Sequence, residues 1–346
     1  GSHGGATAEG QVEVLDALGV TEESVEAPIR SSMEVVQLGT TDEGIPVYWD
    51  KIAAEADGVI VLNRVKPHTE FNGDLESGIF KMIVIGLGKH RGAATAHQYT
   101  VPLSYRTVIP SCGRLILEKA NVLAGVAVVE NAYHQIAEVA VLAPGEIEAR
   151  EKALLVRARD LMARLPFEDL DVLVVDEIGK DISGTGMDTN VIGRLMFIGE
   201  PEPESPRIKR IVVRDLTAET LGSALGIGLA DFVTRRAAEK VDRRVTNINA
   251  LTAVSPEKAR IPLTTETDRE AIELALANSG PVTAKTARLV RIQNTLHLKH
   301  LIVSEALVPS ARSDPRLTIL EEIGPMSFDG TGTLPAFPAP SVSRAT

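Results

Sequence analysis

Four of the seven histidines lie in the first hundred residues, on predicted loops beside glycines: His3, His68, His90 and His97. A rigidly held imidazole exchanges protons near pH 7 and also binds zinc, copper, iron or nickel. His3 stands in the run Gly1–Gly5, GSHGG, whose glycine amides are suited to an anion. An exposed histidine in an ordinary turn is the alternative at this position.

His68 belongs to a polar loop that follows a predicted strand over residues 57–65. The loop includes the sequence NRVKPHTEF, residues 63–71, and Pro67 stiffens its approach to the histidine. Ligands of α/β proteins bind at the carboxyl ends of such strands. We therefore predict that His68 acts as a general acid or base. The alternative is a loop histidine that is hydrogen-bonded to the backbone.

Lys81 is set among apolar neighbours in residues 77–88, which we predict to be a short buried helix. Removal from water lowers the pKa of an amine and makes it nucleophilic. The alternative is that the aliphatic part of the Lys81 side chain lies on apolar surface while its terminal amine reaches water. Ser77 and Gly78 begin this helix, where free backbone amides would suit a phosphate.

His97 ends a stretch of small residues, GKHRGAATAH, that leaves room for a bound group. No carboxylate and histidine cluster at helical spacing surrounds it in the sequence, so a conventional metal cage is not indicated. Positive charge gathers on four nearby side chains: Lys66, Lys81, Lys89 and Arg91. This patch indicates a phosphate or carboxylate ligand, with a solvated loop face as the alternative, and we assign Lys89 to the same anion site.

The composition limits the classes of function. The 346 residues carry a net charge of -11, which makes non-specific nucleic-acid binding an unsuitable role. No apolar run approaches the roughly 18 residues of a membrane helix. The lone cysteine, Cys112, excludes an intrachain disulfide and a cysteine metal cluster, and it is typical of a cytoplasmic protein.

The length predicts two domains, and alternating strands and helices predict the α/β class. We expect an N-terminal cofactor domain over 1–165, an α/β domain over 166–330 and a loosely held tail over 331–346, with the active site in the cleft between the domains. The glycine-rich segment 179–190 has two open interpretations, a flap over the site or a packed turn.

Further elements are predicted from periodicity and end signals. The strands are placed at 125–132, 171–178, 207–214, 259–263, 287–293 and 316–321. The helices are placed at 145–164, 267–278 and 296–307, and the segment 218–240 is predicted to carry one or two helices broken by Gly222, Gly226 and Gly228.

The chain begins Gly-Ser-His without a methionine. A cleaved affinity tag and a cut inside a longer protein both explain this start. A helical pattern with Val12, Leu15 and Leu18 follows at once, which favours the longer protein.

Together these motifs resemble the nickel-dependent lactate racemase family, as a distant branch. GSHGGAT, NRVKPHTEF and ESGIFKM occur in order, and His97 follows Lys81 by sixteen residues. The resemblance implies a nickel–pincer nucleotide, a pyridinium-3,5-bisthiocarboxylic acid mononucleotide, joined covalently to Lys81 with its nickel bound by His97. It also implies that His3 and His68 serve as acid and base on either side of the substrate.

The implied reaction inverts an α-hydroxy acid, because a hydride moves to the cofactor and returns to the opposite face. Implied partners are the small substrate and, transiently, the cofactor-making enzymes, with no nucleic acid and no membrane.

This chain departs from the family pattern in two places. The interval from His68 to Lys81 is longer, and the glycine run before the lysine is reduced to Ser77-Gly78. In this family an arginine that binds the substrate carboxylate would precede Gly1, so the resemblance does not imply that lactate is the substrate of this chain. Two other functions remain open, a non-catalytic anion-binding homologue and a zinc hydrolase built on His3, His68 and His97.

Overall fold

The structure is a computed structural model that describes residues 6–338 and divides into two compact units. Unit 1 contains the chain through Met162 together with Ile198–Glu200. Unit 2 contains Ala163–Phe197 and the chain from Pro201 onward. Both units combine helices with sheets, so the predicted α/β class is confirmed. Over residues 6–338, no helix has the length and apolar character needed to cross a membrane.

Unit 1 contains five strands in two sheets. The strands are β1 Val35–Thr40, β2 Pro46–Asp50, β3 Val59–Arg64, β4 Val122–Glu130 and β5 Ile136–Leu142. β1 and β2 form an antiparallel pair. In the other sheet, β4 lies between β3, to which it is parallel, and β5, to which it is antiparallel.

Among the residues of unit 1 that the structure describes, seven α-helices accompany these strands. They are α1 Ala8–Ala17, α2 Glu22–Val25, α3 Lys51–Glu55, α4 Ile79–Lys81, α5 Lys89–Leu103, α6 Tyr105–Lys119 and α7 Ile147–Leu161. The predicted helices at the chain start and at 145–164 correspond to α1 and α7. The predicted helix at 77–88 is α4, which continues as one wider π-helical turn over Met82–Gly86.

Helix α4 is held by close packing on both sides. A Cβ atom added to Gly113 of α6 would lie 2.3 Å from the Phe80 ring, so only glycine allows α6 to approach α4 this closely. On the sheet side, Ile79 lies against Gly125 of β4. Ile79 and Phe80 are completely buried. This packing fixes the backbone from which Lys81 projects.

Unit 2 is built on one six-stranded sheet. Its strands are β6 Asp169–Val175, β7 Arg207–Val213, β8 Phe232–Thr234, β9 Leu263–Thr265, β10 Leu289–Ile292 and β11 Ile302–Val303. Their spatial order is β11-β10-β6-β7-β8-β9, with only β10 and β11 antiparallel. Alternate residues of β6 enter two different cores, with Leu173 on one side and Val172 on the other. A parallel sheet covered on both faces explains the continuous apolar runs in its strands.

Five helices complete unit 2: α8 Thr189–Ile192, α9 Arg235–Glu239, α10 Arg243–Thr252, α11 Asp268–Ala277 and α12 Val308–Ser313. One prediction in this unit is met only in part and two are wrong. The segment 218–240, predicted to carry one or two helices broken by glycines, holds the short helix α9 but also the strand β8. The predicted helix at 296–307 holds the edge strand β11 and a single 3-10 turn. Residues 316–321 form no strand, because no neighbouring strand pairs with them.

The tail differs from the loose segment predicted after residue 330. Over residues 331–338 it is anchored on unit 2, where Leu334 is buried. The Leu334 amide donates to the Asp268 carboxylate at 2.9 Å, and the Leu334 carbonyl accepts from Arg214 at 3.0 Å. Backbone groups that pair with buried charges hold an otherwise irregular segment in place.

Candidate active site

The loop between β3 and α4 presents His68. Its ends are joined, because Lys66 and Ser77 exchange two backbone hydrogen bonds of 2.9 and 3.2 Å. Inside the loop, the buried Glu76 carboxylate accepts from the His68 amide at 2.5 Å and the Gly73 amide at 2.8 Å. Arg159 of α7 pairs with the same carboxylate at 2.5 Å. Burial nevertheless raises the pKa of Glu76 above its ordinary value.

The His68 ring is held by its immediate neighbours. Its Nδ1 atom accepts a hydrogen bond from the Glu70 amide at 3.1 Å. The ring lies 4.7 Å from the centroid of Phe71. A ring nitrogen that accepts is unprotonated, so the proton of neutral His68 is on Nε2.

His97 projects from α5 and lies beside Tyr105, the first residue of α6. The His97 Nδ1 atom is 2.7 Å from the Tyr105 hydroxyl oxygen. Burial lowers the pKa of His97 to about 4, and the positive charge of Lys81 contributes to this shift. His97 is therefore neutral at pH 7, the form in which an imidazole binds a metal.

Tyr105 lies between the two histidines. Its ring stacks on Phe71 at 4.4 Å and 8°, and the centroids of His68 and His97 are each 5.8 Å away. The two imidazoles are therefore within about 12 Å of each other. The Tyr105 hydroxyl also donates to the Glu70 carboxylate at 3.4 Å. Burial, and next the charge of Glu70, raises the pKa of Tyr105 well above its ordinary value.

Lys81, the last residue of α4, is partly buried in the same region. Burial, followed by the nearby positive charge of Lys66, lowers the pKa of its amine, while Glu70 acts in the opposite direction. Within residues 6–338 the structure gives the Lys81 amine no hydrogen bond and no ion pair. The amine is therefore available and more readily deprotonated than an ordinary lysine.

The expected phosphate cradle at Ser77 and Gly78 needs correction. The Phe80 amide at this helix start donates to the Glu151 carboxylate of α7 at 3.1 Å. A Cβ atom on residue 78 would lie 2.3 Å from Glu151 Oε1, so glycine makes room for a carboxylate of the protein itself. Burial raises the pKa of Glu151 to about 7. The protein therefore caps this helix start internally.

The predicted basic patch divides into separate parts. Lys89 pairs with the buried Asp50 carboxylate at 3.1 Å and also donates to Gln11 at 3.2 Å, which removes it from the anion-binding role we predicted. The Arg91 guanidinium lies over the Tyr48 ring at 4.5 Å. Lys66 lies close enough to Lys81 for its charge to lower the pKa of the Lys81 amine.

His3, the other predicted catalytic residue, lies outside the described residues.

The glycine-rich segment 179–190 packs within unit 2. Its Gly179 amide donates to the Gly186 carbonyl at 3.1 Å, which closes the segment into a loop. Gly186 has a φ of +74°, and a Cβ there would lie 2.0 Å from the Leu225 carbonyl oxygen. The close approach to Leu225 accounts for this glycine.

Tyr105, Glu70 and Phe71 were not predicted from the sequence. The chain is only 3% aromatic, and this low content makes an aromatic residue eight positions after His97 a usable signal. Glu70 and Phe71 lie in the motif NRVKPHTEF, residues 63–71, but nothing in the sequence was a reason to assign either of them a role. In residues 6–338 no group of three or more histidine, cysteine, aspartate or glutamate side chains is arranged to hold a metal ion.

Comparison with known families finds a match in the N-terminal part of the chain. Residues 1–106 match the family model described as the lactate racemase N-terminal domain. His68, Lys81, His97 and Tyr105 all lie inside the matched residues.

Two solved structures resemble the chain at 14% sequence identity. The lactate racemase apoprotein from Thermoanaerobacterium thermosaccharolyticum aligns over 82% of this chain and 74% of its own, with a TM-score of 0.47. A Thermotoga maritima protein from a structural genomics consortium aligns over 59% of this chain and 54% of its own, with a TM-score of 0.38. No curated protein matches the sequence.

Proposed function

We propose that this chain is a racemase or epimerase of an α-hydroxy acid that uses a nickel–pincer nucleotide tethered to Lys81. The observation that carries the proposal is that His68 and His97 both lie beside Tyr105, with Lys81 close enough to lower the pKa of His97. All of these residues lie in the segment that matches the lactate racemase N-terminal domain. Its finer parts, the cofactor, the tether and the hydride transfer, rest on the family resemblance and on the chemistry of these side chains.

The side chains present fit such a group. The Lys81 amine has a lowered pKa and no partner in residues 6–338, which suits covalent attachment to a thiocarboxylate. His97 is neutral and has its Nδ1 atom engaged by Tyr105, which leaves Nε2 for nickel. A pincer supplies the remaining donors itself, so one protein histidine is sufficient. When bound, the nucleotide supplies a hydride acceptor, which no side chain provides.

The protein residues then handle binding and proton transfer. His68, with its proton on Nε2, donates a hydrogen bond to the substrate oxygen. We assign the matching role on the other face of the substrate carbon to His3, because inversion requires such a group on each side. Lys66 adds positive charge near Lys81, which favours a carboxylate substrate or a cofactor phosphate.

The reaction is proposed for the cytoplasm, where the single cysteine stays reduced and the cofactor-making enzymes meet the chain transiently. The substrate class is a small α-hydroxy acid, with sugar acids included because lactate is not implied by this sequence.

The test is chiral conversion by the full-length protein coexpressed with the cofactor-making enzymes. Single enantiomers of 2-hydroxy acids of increasing size are incubated and separated by chiral chromatography. We expect interconversion of at least one acid, lost in His97→Ala and Lys81→Ala and kept in His134→Ala, which removes an exposed histidine of unit 1. A nickel-loaded protein that leaves every enantiomer unchanged would favour the non-catalytic anion-binding alternative.

A further inference from the structure

One residue, Glu70, connects the two imidazoles of the site. Its backbone amide donates to His68 Nδ1 at 3.1 Å, and its carboxylate accepts from the Tyr105 hydroxyl at 3.4 Å. The same hydroxyl oxygen lies 2.7 Å from His97 Nδ1. Glu70 and Tyr105 are buried, so these contacts are shielded from bulk water.

The direction of each bond follows from the donors and acceptors present. A backbone amide only donates, so His68 Nδ1 accepts and its proton is on Nε2. The Tyr105 hydroxyl donates to a Glu70 carboxylate oxygen, so its single proton points to Glu70. With that proton directed to Glu70, the hydroxyl oxygen is free to accept from His97 at 2.7 Å, and we therefore assign the His97 proton to Nδ1 and a lone pair to Nε2.

We propose that Glu70 and Tyr105 are positioning residues that set opposite tautomers in the two histidines. His97 presents an unprotonated Nε2 atom, the form that binds a metal. His68 presents a protonated Nε2 atom, the form that donates to a substrate oxygen. Ring stacking fixes the orientations, because Tyr105 lies flat on Phe71 and Phe71 contacts His68.

The use of these tautomers rests on the proposed function, whereas the tautomers themselves do not. A carboxylate that acts through a neighbouring group on a ligand histidine fixes its ring and increases its basicity, and removing such support lowers metal affinity 10- to 100-fold. Tyr105 is the intermediate in this arrangement, because its hydroxyl contacts both the Glu70 carboxylate and His97 Nδ1.

The experiment measures imidazole tautomers by two-dimensional ¹⁵N–¹H NMR of the ¹⁵N-labelled full chain, without cofactor and at one neutral pH. We expect the Nδ1–H form for His97 and the Nε2–H form for His68. Tyr105→Phe keeps the aromatic stack and removes the hydroxyl, so His97 should move towards the Nε2–H form that free histidine prefers. Glu70→Gln should shift His97 in the same direction. His68 should not change in either variant, because the residue 70 amide remains.

Tyr99→Phe is the matched control, since it removes an α5 hydroxyl that bonds only the Gly44 carbonyl among the described residues. It should leave both tautomers as in the wild type. A wild-type His97 in the Nε2–H form, or a Tyr105→Phe protein with unchanged His97, would overturn the proposal. Loaded Tyr105→Phe should lose nickel to a chelator about 10- to 100-fold more readily. Correct tautomers in a chain that never inverts a hydroxy acid would contradict only the proposed function.

Discussion

Replacing Glu76 with glutamine tests how the His68 loop is held. The wild-type carboxylate accepts two loop amides and pairs with Arg159, whereas an amide side chain turns one of its two acceptors into a donor. Breaking a buried ion pair costs about 3–5 kcal/mol. Because the Arg159 side chain is 33% exposed, we expect about 2–3 kcal/mol for Glu76→Gln.

This loss should appear both in global stability and in the loop itself. The melting temperature should fall by about 5–10 °C, measured by calorimetry. If the cost is concentrated in the loop, hydrogen exchange at the His68 amide should accelerate about 30- to 150-fold. Racemisation should fall as well, since His68 loses its fixed position.

Glu148→Gln is the matched control, because Glu148 lies on α7, the helix that carries Arg159. Glu148 makes two hydrogen bonds to Arg114, but that arginine side chain is 60% exposed, so we expect less than about 1 kcal/mol. The role of Glu76 in holding the loop would be refuted if the two variants had equal melting temperatures and if hydrogen exchange at the His68 amide were unchanged in Glu76→Gln.

Three further predictions follow from the charges around the site. Limiting acetic anhydride at pH 8 should label Lys81 faster than Lys89, whose amine is engaged in an ion pair with Asp50. Equal labelling of the two lysines in peptide mass maps would contradict the lowered pKa of Lys81. Glu151 binds a proton more tightly in the folded than in the unfolded chain, so its contribution to stability is full below pH 4.5 and lost as pH rises to about 7. When urea unfolding is measured across this pH range, the free energy of unfolding of Glu151→Gln should not show this loss of about 3 kcal/mol. A pH profile parallel to that of the wild type would show that Glu151 does not cause the loss. The His97 ring should titrate by NMR near pH 4, and a midpoint near 6.5 would show that it is not shielded.

The sequence predicted the elements whose signals are local. The apolar runs of β3, β6 and β7 are strands, and Thr267 caps α11 as its position indicates. The roles assigned to His68, Lys81 and His97 came from residue type, immediate neighbours and family resemblance, and they stay predictions. What these predictions share is that each depends on a short stretch of chain.

Side-chain partners distant in sequence were not predictable. Gly78 makes room for Glu151, and the anion predicted for this helix start is replaced by that carboxylate. Lys89 was assigned to an anion but pairs with Asp50 across a different part of unit 1. In both cases tertiary packing brings together groups that are distant in sequence. The local pattern predicted an anionic ligand, whereas the observed partner is a carboxyl group of the protein itself.

The central claim is tested most directly by the mass of the peptide that contains Lys81. The full-length protein is coexpressed with the cofactor-making enzymes, and its nickel content is measured on the same sample. We expect a cofactor-sized mass increase on this peptide together with stoichiometric nickel. Lys81→Arg should show neither, because a guanidinium is a poor nucleophile. Stoichiometric nickel on a chain with unmodified Lys81, or an added mass on another residue, would contradict it.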